Sequence, residues 1–452
     1  MDRDVIIVGG GPAGIITALT AKSVYPDKSV CLIKDIGEGV IPCAIPYMMN
    51  SLKDPAQNKM GNQPLEQAGV EIIVDRVVSI APEEKSIALK EGGRLSYQRL
   101  VLATGIIPFK PSIPGMDLDG IFTIEKSLTA MEALRSAAQD AERVVILGGG
   151  FIGAEFAEEL AKQPHTQVHI VEMMPKMLYT AFDDAFCDAI EAKLIDLGVY
   201  VHTGRKVSAI KGGTNVESVA LDNNEEIPAD LVIIGIGGRP NSDLARAAGL
   251  QITDGGSIWV DAYMKTNAED ISAVGDCALK RDFFTRREAP VWLASTATAE
   301  ARIAGTNLFG VRVMRQIQGT ISAFSTRLGD TAFASTGLTC RACQKEGFRV
   351  VTGVAAAPDR HPGTLPDAQE MRVKLIFEDR AGALLGGQVS GGPSVGELIN
   401  AIAIGIQLKL NVRDLDMMQI ATHPLLTSAP TVHPLINAAH QALAKLRTNN
   451  TS

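Results

Sequence analysis

Residues 5–14 read Val-Ile-Ile-Val-Gly-Gly-Gly-Pro-Ala-Gly, and residues 144–153 read Val-Val-Ile-Leu-Gly-Gly-Gly-Phe-Ile-Gly. Each is an aliphatic run entering G-x-G-x-x-G. The glycines of that pattern allow a tight turn and close backbone approach to a pyrophosphate, which rests on the N-terminal dipole of the next helix. Between the copies stands Cys43, directly after Pro42 and before an expected helical turn. A cysteine attacks sulfur only as a thiolate, and a helix start favours that form. Two cradles predict two dinucleotides. With a thiol between them, the arrangement suggests a flavin, a nicotinamide and a cysteine as third electron station.

In the first copy the cradle residues are Gly9, Gly11, Pro12, Ala13 and Gly14, with Pro12 suited to a first helical turn. The second strand, Ser29–Ile33, runs into Lys34 and then Asp35. An acid after this strand takes the ribose hydroxyls of a bound dinucleotide, so Asp35 is the candidate, with an ordinary turn residue as the alternative. A later strand closes in Ala103-Thr104-Gly105, and another ends at Gly275 followed by Asp276, whose carboxylate suits ribityl hydroxyls or pyrophosphate-bound water. In the second copy the corresponding residues are Gly148, Gly150, Ile152 and Gly153. Glu172 follows Gly148 by 24 residues, close to the ~20 of the fingerprint. Its carboxylate accepts from a free 2′-hydroxyl and repels a 2′-phosphate, and Met173 and Met174 follow it where an arginine would welcome phosphate. This copy reads as an NADH site.

The 452 residues, 46% of them apolar, suffice for about three domains with cores of their own. A net charge of −8 excludes a nucleic-acid partner, whose phosphates need a basic face. No apolar run approaches the ~20 residues of a membrane span, and the N-terminus enters a strand without a leader pattern. Six cysteines at scattered spacings do not form a secreted disulfide framework, which points to a reducing cytoplasm. Cys340-Arg341-Ala342-Cys343 reads as a helix start, with no second pair to complete a metal site. Lys280, Arg281, Arg286 and Arg287 form a small basic patch, either a solvated loop or an anchor for an anionic substrate.

Taken in order, Gly9–Gly14, Cys43, Ala103–Gly105, Gly148–Glu155, Gly237–Asn241, Gly275-Asp276 and Ser335–Thr339 resemble the pyridine nucleotide-disulfide oxidoreductases over essentially the whole chain. Cys43-Ala44-Ile45-Pro46-Tyr47 is similar to the C-G-x-P-Y segment of the single-cysteine branch, which holds coenzyme A-disulfide reductases, persulfide or polysulfide reductases, NADH oxidases and NADH peroxidases. In paired-cysteine relatives the partner lies five residues on; here that residue is Met48. Two departures matter. Ala44 stands where the branch has glycine, and Pro12 stands where peroxidases and oxidases carry a histidine.

The resemblance implies tightly held FAD and a further set of roles. Glu155 and Gly237 join the NADH site by analogy. His423-Pro424 resembles the His-Pro in which the histidine crosses a dimer interface as acid/base. His361-Pro362-Gly363 resembles a Tyr-Pro-Gly segment that reaches the partner's cysteine. Cys43, His361 and His423 are therefore the candidate catalytic residues, and a homodimer is expected.

The expected fold is α/β, with two doubly wound, Rossmann-like domains and a C-terminal α+β dimerisation domain. The FAD domain is placed at residues 1–110 and 240–320, the NADH domain at 111–239, and the interface domain at 321–452. The implied activity is NADH-dependent reduction of a small disulfide, persulfide or polysulfide through FAD and Cys43. Alternatives are an NADH oxidase, a rubredoxin- or ferredoxin-type reductase, and a non-enzymatic redox-responsive binding module.

Overall fold

The structure, a computed structural model, describes residues 2–314 and 316–449. Its contacts divide the chain into two compact units. The first comprises Met1–Lys110, Thr123–Ser136 and Gly237–Thr320. The second comprises Pro111–Phe122, Ala137–Ile236 and Ile321–Ser452.

The first unit grows from a buried strand, β1 (Asp2–Val8), a helix, α1 (Pro12–Val24), and a second buried strand, β2 (Val30–Lys34). β1 lies between β2 and Arg94–Leu102, parallel to both. Glu71–Val74 extends the parallel set beyond β2, and Ile271–Ala273 pairs parallel with the C-terminal half of Arg94–Leu102. Strands buried on both faces must be apolar throughout, as Val5–Val8 and Val30–Ile33 are. Helix Ala294–Thr306 packs on α1. The N-cap of α1 is Gly11, with Pro12 at its first position, where the missing N–H costs nothing.

The second unit repeats the device. Gln167–Glu172 pairs parallel with Arg143–Leu147 on one side and Val199–Thr203 on the other, while Leu231–Ile234 flanks Arg143–Leu147. A three-stranded antiparallel meander spans Val207–Pro228. The C-terminal part of the unit is a five-stranded antiparallel sheet in the order Phe324–Leu328, Thr331–Gly337, Leu384–Gly391, Glu370–Glu378, Val350–Pro358. Helices Val395–Gln407 and Pro434–Asn449 lie against it. Asp183 ties this sheet to the rest of the unit, accepting from Lys374 Nζ at 2.6 Å, Gln388 Nε2 at 2.8 Å and the Cys340 amide at 3.0 Å.

The units cut the chain differently from the boundaries expected above. Residues 123–136 and 237–239 fall in the first unit, outside the single insert read from the sequence. The cause is hydrogen bonding to residues far back in the chain. The Leu128 amide donates to Glu38 O at 3.1 Å, and Arg135 Nη1 reaches the carbonyls of Met48 and Leu52 at 3.0 and 2.7 Å. Among the described residues no helix is long and apolar enough to cross a membrane.

Candidate active site

The first cradle is built by backbone that leaves no room for side chains. Gly9 has φ +120°, and a Cβ there would stand 2.1 Å from Ala103 O. A Cβ on Gly14 would stand 1.9 Å from Gly9 O. Gly11 is different: a Cβ there would meet no atom within 4 Å. Open space above the start of a 13-residue helix, ringed by closed turns, is what a pyrophosphate requires.

Two further strand ends converge on this corner. Thr104 Oγ1 donates to Asn241 O at 2.6 Å, and the Asn241 amide donates to Gly105 O at 2.8 Å. These bonds lock the chain's exit at Ile106–Pro108 to its return at Gly238–Pro240, which pair antiparallel. Gly275 has φ +73°, and a Cβ on it would come within 2.7 Å of Ala13 Cβ, so Asp276 sits beside the first turn of α1. Its side chain is 19% exposed, with Lys126 Nζ at 3.9 Å. Thus Gly9, Gly11, Pro12, Ala13, Gly14, Thr104, Gly105 and Asp276 gather at the C-terminal ends of the parallel strands of one sheet, where open α/β sheets bind ligands. The residues fit FAD and could hold it.

The turn bearing Asp276 is fixed from beneath by a pair the sequence reading missed. Lys280 and Glu300 are almost completely buried and 2.9 Å apart. Glu300 Oε2 also accepts from the Gly275 amide at 3.0 Å, and Lys280 Nζ donates to the carbonyls of Gly275 and Ala278. Lys280 is therefore no part of a basic surface patch. Only its place 20 residues before an acid on a small-residue helix could have signalled the pair.

Cys43 lies in the same unit. The expected helix start is instead a three-residue 3-10 turn, Pro42–Ala44, followed by another at Pro46–Met49. Pro46 has no N–H to return to Pro42 O, so the Ile45 amide bonds that carbonyl at 3.3 Å and the turn stays short. Of the six cysteines, Cys43 alone is exposed. Burial pushes the thiols of Cys31, Cys187 and Cys343 up to about 12, 11 and 12, and raises those of Cys277 and Cys340 as well. Met48, at the position of a second redox cysteine, is fully buried and takes a contact from Asn58 Nδ2 at 3.1 Å.

In the second unit a Cβ on Gly153 would lie 1.9 Å from Gly148 O, and one on Gly150 would meet nothing within 4 Å. The geometry of the first cradle is reproduced and fits the pyrophosphate of NADH. Ile152 is 48% exposed at the helix start. Glu172 ends its strand and accepts from the amides of Gly149 and Met174, both at 2.6 Å. The glycine that meets Gly148 is Gly235, whose carbonyl oxygen would lie 2.6 Å from a Cβ there; Gly237 falls in the first unit, bonded through its carbonyl to Phe109 N. Arg205, distant in sequence, bonds its amide to Glu172 O at 3.0 Å.

Glu155 faces Thr326, whose hydroxyl donates to it at 2.8 Å. Burial pushes this carboxyl up to about 7. A carboxyl with a raised folded pKa binds its proton more tightly folded than unfolded. Its contribution to stability is therefore lost as pH rises from about 4.5 through 7. Glu155→Gln should gain stability over the parent by on the order of 2 kcal/mol more at pH 8 than at pH 5, read from urea unfolding at both values.

The two candidate histidines, far apart in sequence, form one loop cluster. His361 N donates to Pro424 O at 3.1 Å, and His361 Nδ1 lies 3.0 Å from Thr427 O, which makes Nδ1 the protonated nitrogen. His423 Nδ1 accepts from the Leu425 amide at 3.2 Å, leaving Nε2 to carry its hydrogen. Asp35, by contrast, is exposed, with Arg76 Nη2 at 3.7 Å. Among the described residues no group of three or more His, Cys, Asp or Glu side chains is arranged to hold a metal ion.

Comparison with known proteins agrees with this geometry. Residues 3–301 match the family described as pyridine nucleotide-disulphide oxidoreductase, and residues 323–433 match its dimerisation domain. The chain is 31% identical over 452 residues to an NADH oxidase of Methanocaldococcus jannaschii, covering 98% of this chain and 99% of that protein. It is 32% identical over 447 residues to an NAD(P)H coenzyme A polysulfide/persulfide reductase of Pyrococcus horikoshii, covering 96% and 97%. A water-forming NADH oxidase from Lactobacillus brevis, solved with NADH bound, superposes with a TM-score of 0.91 at 27% identity, covering 99% of this chain and all of that one. Two glycine cradles at the ends of two sets of parallel strands, the sequence match across both and the dimerisation domain beyond them place the chain in the pyridine nucleotide-disulphide oxidoreductase family, with FAD and NADH as its cofactors.

Proposed function

We propose that the protein reduces a low-molecular-weight disulfide, persulfide or polysulfide with electrons from NADH, received by Cys43. The observation that carries this reading is that Cys43 alone of six thiols is exposed, in the unit that bears the first cradle. Bound FAD supplies hydride acceptance from NADH and onward transfer in electron pairs.

The Cys43 thiolate attacks one sulfur of R–S–S–R. The acceptor's S–S bond breaks as the Cys43–S–S–R bond forms, and RS⁻ leaves to take a proton. Two electrons originating from NADH then cleave the mixed disulfide, returning the thiolate and a second thiol. The sum is NADH + H⁺ + RSSR → NAD⁺ + 2 RSH. The departing sulfur takes its proton from an imidazolium, that of His361 protonated at its free Nε2 or that of His423 once its Nδ1 gives up the Leu425 amide, each from the dimerisation domain of a second copy, so the working form is a homodimer. The persulfide reductase relative supports the sulfur acceptor.

Oxygen is the second reading, favoured by the relatives named NADH oxidases. Stopped-flow oxidation of NADH, anaerobic with a panel of disulfides, persulfide and polysulfide and then in air, separates the two. At least tenfold faster turnover with a sulfur acceptor is expected. Equal or faster turnover on oxygen alone overturns the sulfur reading.

Glu172 is the proposed determinant of NADH over NADPH, since its carboxylate repels a 2′-phosphate. Glu172→Ala should narrow the ratio of kcat/KM values by about tenfold, equivalent to ~1.4 kcal/mol, with Arg205 nearby to tolerate the added charge. An unchanged ratio would place discrimination elsewhere.

A further inference from the structure

The two cradles can be compared residue by residue. Gly9 N bonds Ile33 O at 2.8 Å, and Gly148 N bonds Val171 O at 2.8 Å. The next residue is Lys34 in the first copy and Glu172 in the second. Both cover the middle glycine: a Cβ on Gly10 would stand 2.8 Å from Lys34 Cβ, and one on Gly149 would stand 2.7 Å from Glu172 Cβ. Lys34, not Asp35, therefore occupies the place of the ribose-facing acid.

An ammonium is three donors and no acceptor, so it cannot take hydrogen bonds from ribose hydroxyls or from the Gly10 amide. Lys34 is buried at 8% exposure, and Nζ donates to Gly37 O and to Asn62 Oδ1, each at 2.9 Å. Asn62 stands at the N-cap of Gln63–Gln67 yet makes no side-chain cap bond, its side-chain oxygen being on Lys34 instead.

Gly37 and Asn62 are the two ends of the segment that carries Cys43. Between them the neck is closed by Met60 N to Gly39 O at 2.9 Å, Ile41 N to Asn58 O at 3.0 Å and a bridge between Val40 and Lys59. Lys59 pairs with Glu38 across the same neck and Asn58 Nδ2 donates to Ile41 O at 3.2 Å, while the buried Lys34 ammonium reaches in from β2 to hold Gly37 and Asn62 together.

We infer that Lys34 is a positioning residue that fastens the neck of the Cys43 segment at the place where the second cradle keeps an acid for ribose. The first site has exchanged a nucleotide contact for a strut. FAD is then retained by the glycine cradle and the Asp276 corner, with little contribution from position 34. The purpose of the strut rests on the proposed role of Cys43, but its test does not. Neck dynamics can be normal in a protein without sulfur activity, and sulfur activity can persist with a loosened neck.

The test uses Lys34→Met and Lys34→Arg in the full-length protein. Apoprotein is titrated with FAD by flavin fluorescence, and the FAD-loaded protein is followed by hydrogen–deuterium exchange. Lys34→Met should bind FAD within threefold of the parent while peptides within residues 37–62 exchange at least tenfold faster, β1 and α1 remaining unchanged. Lys34→Arg, which keeps donors, should exchange within threefold of the parent. Lys34→Gln replaces the methionine variant in the same comparison if the latter does not fold. A more than tenfold loss of FAD affinity in Lys34→Met makes Lys34 a nucleotide ligand and overturns the inference. Unchanged exchange at the neck, or arginine as disruptive as methionine, overturns it as well.

Discussion

Replacing Cys43 with serine is expected to lower turnover with disulfide or persulfide acceptors by on the order of 10³-fold or more, while FAD content and single-turnover reduction by NADH stay at parental values. An alcohol cannot exchange with sulfur, so no mixed disulfide forms. No second thiol is placed to substitute, since the other five cysteines are buried or part-buried and Met48 fills the site of a redox partner. NADH reduction depends on the two cradles, which the substitution does not touch. His361→Ala and His423→Ala should be milder, each ~10²-fold, because they remove a proton donor that water replaces in part. Stopped-flow traces with and without a sulfur acceptor check all three variants. Parental persulfide turnover in the serine variant would make Cys43 a structural residue.

The duplicated cradle allows a paired experiment of comparable size. A methyl group at Gly14 or at Gly153 would lie 1.9 Å from a carbonyl oxygen, of Gly9 or of Gly148, and backbone must move to admit it. Overpacking of this kind costs up to ~3 kcal/mol, about 10²-fold in affinity. Gly14→Ala should purify with little flavin and recover it only at high FAD concentration. Gly153→Ala should purify fully yellow, with kcat/KM for NADH reduced ~10²-fold. Absorbance of the purified variants and steady-state kinetics read the two outcomes. Flavin loss from the Gly153 variant would show that the cofactor assignments of the cradles are reversed.

Much of this was legible in the chain because glycine spacing and aliphatic runs are local. Val5–Gly14 and Val144–Gly153 each specify strand, turn and helix within ten residues, and the structure forms both as read. The C-terminal sheet and its helices also match the α+β make-up expected for residues 321–452. What escaped was set by partners distant in sequence. Lys34 and Asp35 both follow the second strand in sequence, and only the pairing of Gly9 with Ile33 fixes which residue comes next. Gly235 and Gly237 lie in one glycine-rich run, and the meeting of Gly235 with Gly148 is tertiary. The assignment of residues 123–136 to the first unit depends on Arg135 and Leu128 finding carbonyls some 80–90 residues earlier.

The first unit is assembled from three separated stretches, and this bears on how the protein is made. Helix Ala294–Thr306 packs on α1, Ile271–Ala273 completes the parallel sheet, and Glu300 holds the Asp276 turn. A nascent chain that has just released Gly9–Gly14 from the ribosome lacks all of these. At typical synthesis rates residue 306 emerges tens of seconds later. Until then the apolar strands Val5–Val8 and Val30–Ile33 have no finished sheet, while the stretch that supplies most of the second cradle, 137–236, is already complete. Flavin capture is thus a late event in biogenesis. Truncations that stop before Ala294 should expose aggregation-prone strands and hold no flavin, whatever the concentration of FAD in the cell.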